Sequence, residues 1–113
     1  MPVRDWKFRI RDILEAVEDS LDITRGMDYE IFCQDKKTSK SVLYNLVVIG
    51  EAARKVPEEV TARYPAIPWR EMGDMRNVVI HEYFGIDTKI LWETIKNELP
   101  PLVNRLKEIL VDK

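Results

Sequence analysis

The chain of 113 residues is 45% hydrophobic and 34% charged, which is the composition expected of one soluble globular domain over residues 1–113 and lies well away from that of a disordered chain. No apolar run approaches the roughly 20 residues that cross a bilayer. The first residues lack a signal-peptide core and the lone Cys33 excludes an internal disulfide, so a reducing cytoplasm is expected and a membrane is not. With 18 basic against 20 acidic side chains the net charge is -2, so a nucleic-acid partner requires a local basic patch or charges pooled by assembly.

The first predicted helix runs from Trp6 to Arg25. Ile10, Ile13, Leu14, Val17 and Leu21 recur at spacings of three and four and line one face, while Arg11, Asp12, Glu15, Glu18, Asp19 and Asp22 make the solvated one. Gly26 stops it, because glycine takes left-handed backbone at little steric cost. Asp28 caps a short turn through Phe32 and Cys33, the cysteine reading as a small packing residue. After a break at Gln34 to Lys37, Thr38 or Ser39 caps a second helix that Pro57 ends. Val42, Leu43, Leu46, Val47, Val48, Ile49, Ala52, Ala53 and Val56 wrap most of its circumference. Such a helix is buried on several sides, at the centre of a bundle or against a partner protomer. Gly50 in its middle costs roughly 1 kcal/mol relative to alanine, which points to close backbone packing there.

Residues 57–70 hold Pro57, Pro65 and Pro68 and read as a short helical turn and an extended elbow anchored by Trp69. A third helix is predicted from about Arg70 or Asp74 to Phe84, closed by Gly85. Asp87 or Thr88 caps a fourth, striped by Ile90, Leu91, Ile95 and Leu99. Pro100-Pro101 kinks or interrupts it, and Leu102, Leu106, Ile109 and Leu110 continue the pattern. No alternating strand pattern of convincing length occurs. The expected fold is all-α, an antiparallel bundle of four to five helices.

A metal site is not expected. His81 and Cys33 are the one histidine and the one cysteine, and they lie on different elements. His81-Glu82 opens like a zincin helix, but Gly85 stands where the second histidine would fall. There is no glycine-rich phosphate loop either, so no cofactor is expected. Chemistry concentrates instead on the third predicted helix, which carries Arg76, Asn77, His81, Glu82 and Tyr83 around Val78, Val79 and Ile80. At about 100° per residue Asn77 and His81 share a face, Arg76 and Tyr83 share a neighbouring one, and Arg76 diverges from His81 by about 140°. A long arginine can still reach what the imidazole touches, provided the helix edge faces a cleft. The bland alternative is a histidine favoured by the helix dipole near a C-terminus and an ordinary surface Arg–Glu pair. Glu51, on the second helix, either orients Arg76 across the bundle or is an exposed helix carboxylate. Lys36, Lys37 and Lys40 read as a solvated cluster in preference to an RNA track. Trp69 and Trp92 read as core residues in preference to base-stacking platforms.

Arg76, His81 and Tyr83 form the pattern R-x4-H-x-Y. Arg11-Asp12-Ile13-Leu14-Glu15-Ala16, Asn45 to Ala53, Ile67-Pro68-Trp69, Met75 to Gly85 and the segment from Trp92 to Pro100 accompany it in order. Over nearly the whole chain this resembles the HEPN-domain proteins of the HepT toxin family. The resemblance implies a metal-independent endoribonuclease, the toxin of a toxin–antitoxin pair. It implies a homodimeric HEPN-like bundle with both motif helices facing one cleft. It also implies a minimal nucleotidyltransferase (MNT) antitoxin that silences the toxin by transferring AMP to the motif tyrosine, here Tyr83. Dimerisation would cover the over-apolar second helix and pool two histidines and two arginines despite the acidic chain.

The chemistry implied has a physical form. A base takes the proton from a ribose 2′-OH, the oxygen attacks the adjacent phosphorus, and an acid protonates the departing 5′-oxygen. Imidazole suits that proton traffic near neutrality. A permanently charged guanidinium suits the phosphate oxygens. His81 is thus the expected acid or base, Arg76 the electrostatic clamp, Asn77 a supporting donor, and Tyr83 a pocket wall and AMPylation site. The substrate is expected to be RNA, tRNA or mRNA. The competing expectation is a non-catalytic HEPN module that binds nucleotide or RNA, or docks the nucleotidyltransferase.

Overall fold

A computed structural model of the chain describes residues 5–77 and 88–112. Among the described residues there are seven α-helices, one π-helical turn and no strand. They are α1 (Trp6–Ile23), α2 (Tyr29–Gln34), α3 (Lys36–Arg54), α4 (Glu58–Arg63), α5 (Trp69–Gly73), α6 (Thr88–Glu93), the π-helical turn Thr94–Glu98 and α7 (Pro100–Val111). Residues 75–77 are also helical. The protein is all-helical across these residues, and no described helix is long and apolar enough to cross a membrane.

Helix α1 begins where the Asp5 carboxylate accepts the Lys7 backbone N–H at 2.9 Å. It ends two residues earlier than expected. The Thr24 hydroxyl donates to the Ser20 carbonyl at 2.8 Å, and Gly26 turns the chain with φ +79°. Asp28 caps α2 as anticipated, accepting the Ile31 N–H at 2.8 Å. The anticipated four-residue break before α3 does not exist. Asp35 alone separates α2 from α3, and its carboxylate accepts the Thr38 N–H at 3.0 Å, displacing Thr38 and Ser39 from the capping role. That hydrogen bond favours the carboxylate form and holds the Asp35 carboxyl below the usual aspartate range.

Among the described residues the core is one continuous cluster. Ile10, Ile13 and Val17 of α1 meet Val42, Leu46 and Ile49 of α3, together with Leu102, Leu106 and Ile109 of α7. Each such side chain contributes roughly 1.5–3 kcal/mol by leaving water. Helix α7 runs antiparallel to α1: Lys7 Nζ donates to the Asp112 carbonyl at 3.0 Å, and Lys107 pairs with Glu18 at 3.8 Å. A polar tie crosses the interior between α3 and α1. The Asn45 Nδ2 of α3 donates to Asp19 Oδ2 at 2.9 Å and to Ser20 Oγ at 3.0 Å on α1.

One expectation about burial changes, and the two alternatives for α3 stay open. Cys33 is exposed. It lies one residue after Phe32, which takes the inward position on α2. Helix α3 is not covered all round in the single chain: Tyr44 is 70% exposed and Val47 38%. Near the other end, Pro100-Pro101 interrupts the last helix and does not merely kink it. Neither proline has an N–H, so the Lys96 and Asn97 carbonyls lose their α-helical donors. The backbone relaxes into the π-helical turn, where the Leu99 N–H reaches the Thr94 carbonyl at 3.1 Å, and α7 starts on the prolines.

Candidate active site

Arg76 is placed by the packing of α5 and the turn after it against α3. Helix α5 is only five residues long, and tertiary contacts hold it. The Trp69 indole donates to the Tyr64 carbonyl at 3.0 Å. Met72 and Met75 insert into the core on either side of Asp74. The predicted helix from Arg70 or Asp74 therefore has two starts. Helix α5 stops at Gly73, and after Asp74 a second turn opens in which the Asn77 N–H donates to the Asp74 carbonyl at 2.8 Å.

Gly50 of α3 lies directly under this second start. A Cβ on Gly50 would stand 3.2 Å from the Gly73 carbonyl oxygen and 3.5 Å from both the Arg76 N and the Met72 carbonyl oxygen. The close backbone packing expected from a glycine in mid-helix is thus located: it seats the Arg76 backbone on α3. The next residue, Glu51, supplies the side-chain partner. Glu51 Oε1 accepts from Arg76 Nη1 at 2.8 Å, and the side chains are 47% and 43% exposed respectively. Both readings of Glu51 hold in part, since the carboxylate is half in solvent and also grips Arg76. A guanidinium held this way keeps several of its five donors for a ligand.

A second ionic contact crosses the same seam. Arg54, on the face of α3 that carries Glu51, lies over Gly73 and stands 3.9 Å from Asp74. Sequence reasoning does not single out Arg54, although its spacing of three from Glu51 is the signal that puts both on one helix face. Asn77 is exposed and makes no side-chain hydrogen bond to a described residue. His81 and Tyr83 lie outside the described residues, so of the expected site only Arg76, Asn77 and Glu51 are placed, and Arg76 and Glu51 are brought together.

The other candidates lie elsewhere on the fold, except Trp69, which opens α5. Lys36, Lys37 and Lys40 are exposed on the opening turns of α3. Trp92 packs its ring at 5.1 Å from Phe32 and 6.4 Å from Tyr29, and Lys96 caps it at 4.6 Å. Trp69 is likewise partly buried against the core. Beside the start of α1 the Tyr64 hydroxyl donates to Asp112 Oδ2 at 2.6 Å, which favours the neutral phenol and raises its pKa.

The family model for HepT-like ribonucleases matches residues 13–109. This chain belongs to the HepT-like ribonuclease family. Among curated relatives, "Probable ribonuclease HepT" of Thermococcus cleftensis is 41% identical over 106 residues, covering 94% of this chain and 96% of that one. "Putative RNase MJ0127" of Methanocaldococcus jannaschii is 40% identical over 112 residues, covering 99% of this chain and 93% of its own. A relative from Caldanaerobacter subterraneus subsp. tengcongensis, "Putative RNase TTE0752", is 37% identical over 101 residues, 89% of this chain and 90% of that one. No solved structure gives a significant match. Within this HepT-like chain the matched region takes in Arg76, Asn77, His81, Tyr83 and Glu51.

Proposed function

We propose that this HepT-like chain is a metal-independent endoribonuclease, the toxin of a HEPN/MNT toxin–antitoxin pair acting in the cytoplasm. The observation that carries the reading is the family match over residues 13–109, which takes in Arg76, His81 and Tyr83 at R-x4-H-x-Y spacing. His81 moves the proton: a 2′-hydroxyl loses it, the 2′-oxygen bonds to phosphorus, and the phosphorus–O5′ bond breaks as O5′ is protonated. Arg76 holds the phosphate oxygens as charge builds on them, and Asn77 adds a donor. The products carry 2′,3′-cyclic phosphate and 5′-hydroxyl ends.

The Glu51–Arg76 contact supports this role, because an arginine anchored at one edge enters the reaction already aimed. The open strip at Tyr44 and Val47 supports a homodimer, in which the second copy covers α3 and brings its own Arg76 and His81 to a shared cleft. An MNT partner then silences the enzyme by transferring AMP to Tyr83, which adds a phosphate where substrate phosphate must enter. RNA, tRNA or mRNA, is the substrate.

Incubation with total cellular RNA in EDTA, beside His81→Ala, tests the reading. Defined fragments with cyclic phosphate ends from the wild type alone are expected. The net charge of -2 favours one competitor, a non-catalytic module that holds nucleotide or RNA or docks the nucleotidyltransferase. No cleavage by protein verified free of adenylate, with binding unchanged in His81→Ala, would establish that competitor instead.

A further inference from the structure

We infer that Arg54 is a second phosphate-binding arginine, which takes the RNA phosphate adjacent to the one held by Arg76. This rests on the ribonuclease reading above and extends its site along the substrate backbone. The first ground is position. Arg54 and Glu51 share a face of α3, and that face packs on the segment from Met72 to Arg76. The two arginines therefore rise from one helix–helix seam, Arg54 against residues 73–74 and Arg76 beside Glu51.

The second ground is Gly73. Its φ is not positive, since Gly26 is the glycine with left-handed backbone among the described residues. An alanine would suit that backbone and would favour the helix. What glycine provides is room: a Cβ at position 73 would lie 3.3 Å from both Cγ and Nε of Arg54. The absent side chain lets the arginine stem lie flat on the α5 backbone, so its guanidinium is directed and not left to wander.

The third ground is chemical availability. The Arg54 guanidinium meets Asp74 at 3.9 Å, beyond hydrogen-bond reach, whereas Arg76 meets Glu51 at 2.8 Å. With side chains 47% and 55% exposed, the Arg54–Asp74 pair is weak and solvent-screened. It serves as a tether that a phosphate, which accepts bidentately from an arginine fork, outcompetes. A chain with net charge -2 needs such a local pairing of cations to hold a polyanion.

The test compares Arg54→Gln, Arg54→Lys and Asp74→Asn with the wild type in two assays. One is steady-state cleavage of an RNA substrate. The other is RNA binding by the His81→Ala protein across a salt series. Arg54→Gln should raise KM about tenfold, the loss of a charged hydrogen bond, with kcat within about twofold. It should also shallow the salt slope by about 0.7, one single-strand phosphate contact. Arg54→Lys should recover part of the loss, and Asp74→Asn, which removes the competing carboxylate, should lower KM. A role confined to folding would lower the melting temperature and leave KM and salt slope unchanged, which overturns the inference while cleavage persists. If wild type neither cleaves nor binds RNA, the ribonuclease reading falls and takes the inference with it.

Discussion

The Glu51 carboxylate and the Arg76 guanidinium meet at 2.8 Å while each side chain keeps nearly half of its surface in solvent, at 47% and 43%. A pair this exposed contributes at most about 1 kcal/mol to stability. Its geometry matters more for direction: it fixes one edge of an arginine that protrudes from a segment seated on α3. Glu51→Gln should therefore leave the urea midpoint nearly unchanged and lower kcat for RNA cleavage by about tenfold or more, as the clamp loses its aim. A full kcat in that variant would show that Arg76 orients itself without the carboxylate.

Gly50→Ala probes the same arrangement from below. The added Cβ would press on the Gly73 carbonyl at 3.2 Å while meeting the Arg76 nitrogen at an ordinary 3.5 Å, and the tight neighbour is a backbone atom that moves only with its helix. Overpacking costs about 1–3 kcal/mol, against a helix-propensity gain of up to about 1 kcal/mol. A net loss of about 1 kcal/mol in chemical denaturation is expected, with a fall in cleavage rate larger than the residual unfolded fraction explains. A stabilised variant would mean that α5 gives way freely.

Asn45 should be among the costly polar positions. It is 7% exposed and binds both Asp19 and the fully buried Ser20 across the α1–α3 contact. Asn45→Ala strands the Ser20 hydroxyl, and a loss of about 1–3 kcal/mol in urea unfolding follows. Asn45→Asp should be worse at neutral pH, because it sets a carboxylate against Asp19, and should partly recover as the pH is lowered.

Two groups give the stability curve a defined pH dependence. The Tyr64 phenol is raised by its hydrogen bond to Asp112, so its contribution is complete below the ordinary tyrosine pKa and is lost as pH rises through the elevated folded value. Tyr64→Phe should flatten the alkaline limb of a melting-temperature profile. The Asp35 carboxyl is depressed by its hydrogen bond to the Thr38 N–H. Its contribution is present above the unfolded aspartate value and disappears as pH falls through the lower folded value, so Asp35→Ala should flatten the acid limb. Parallel curves for wild type and variant would contradict either assignment.

Much of the architecture is legible where side-chain chemistry has one outlet. The three-and-four spacing of α1, the left-handed Gly26, the Asp28 cap and the tight packing at Gly50 each follow from a single residue type meeting a single demand. Legibility fails where several residues compete. Asp35, Thr38 and Ser39 can all cap a helix, and only the approach of α2 within one residue makes Asp35 the one that does. Apolar character likewise does not say which face of α3 stays open, because Tyr44 and Val47 look as core-like as Leu46 and Ile49. At the candidate site Arg76 is conspicuous as part of a motif. Arg54 is not, because its setting depends on Gly73, nineteen positions away on another element.

The antiparallel contact of α1 with α7, closed by Lys7 and Asp112 across 105 positions, has a consequence for how the chain comes into being. The apolar stripe of α1 emerges during synthesis long before one of its partners, α7. Helix α3 shields part of Ile10, Ile13 and Val17 early, but the remainder waits for Leu102, Leu106 and Ile109. Contacts so distant along the chain form late, after their loop-closure entropy is met. Until then the nascent molecule carries an uncovered hydrophobic edge, the kind of surface that draws chaperones or a second copy of itself.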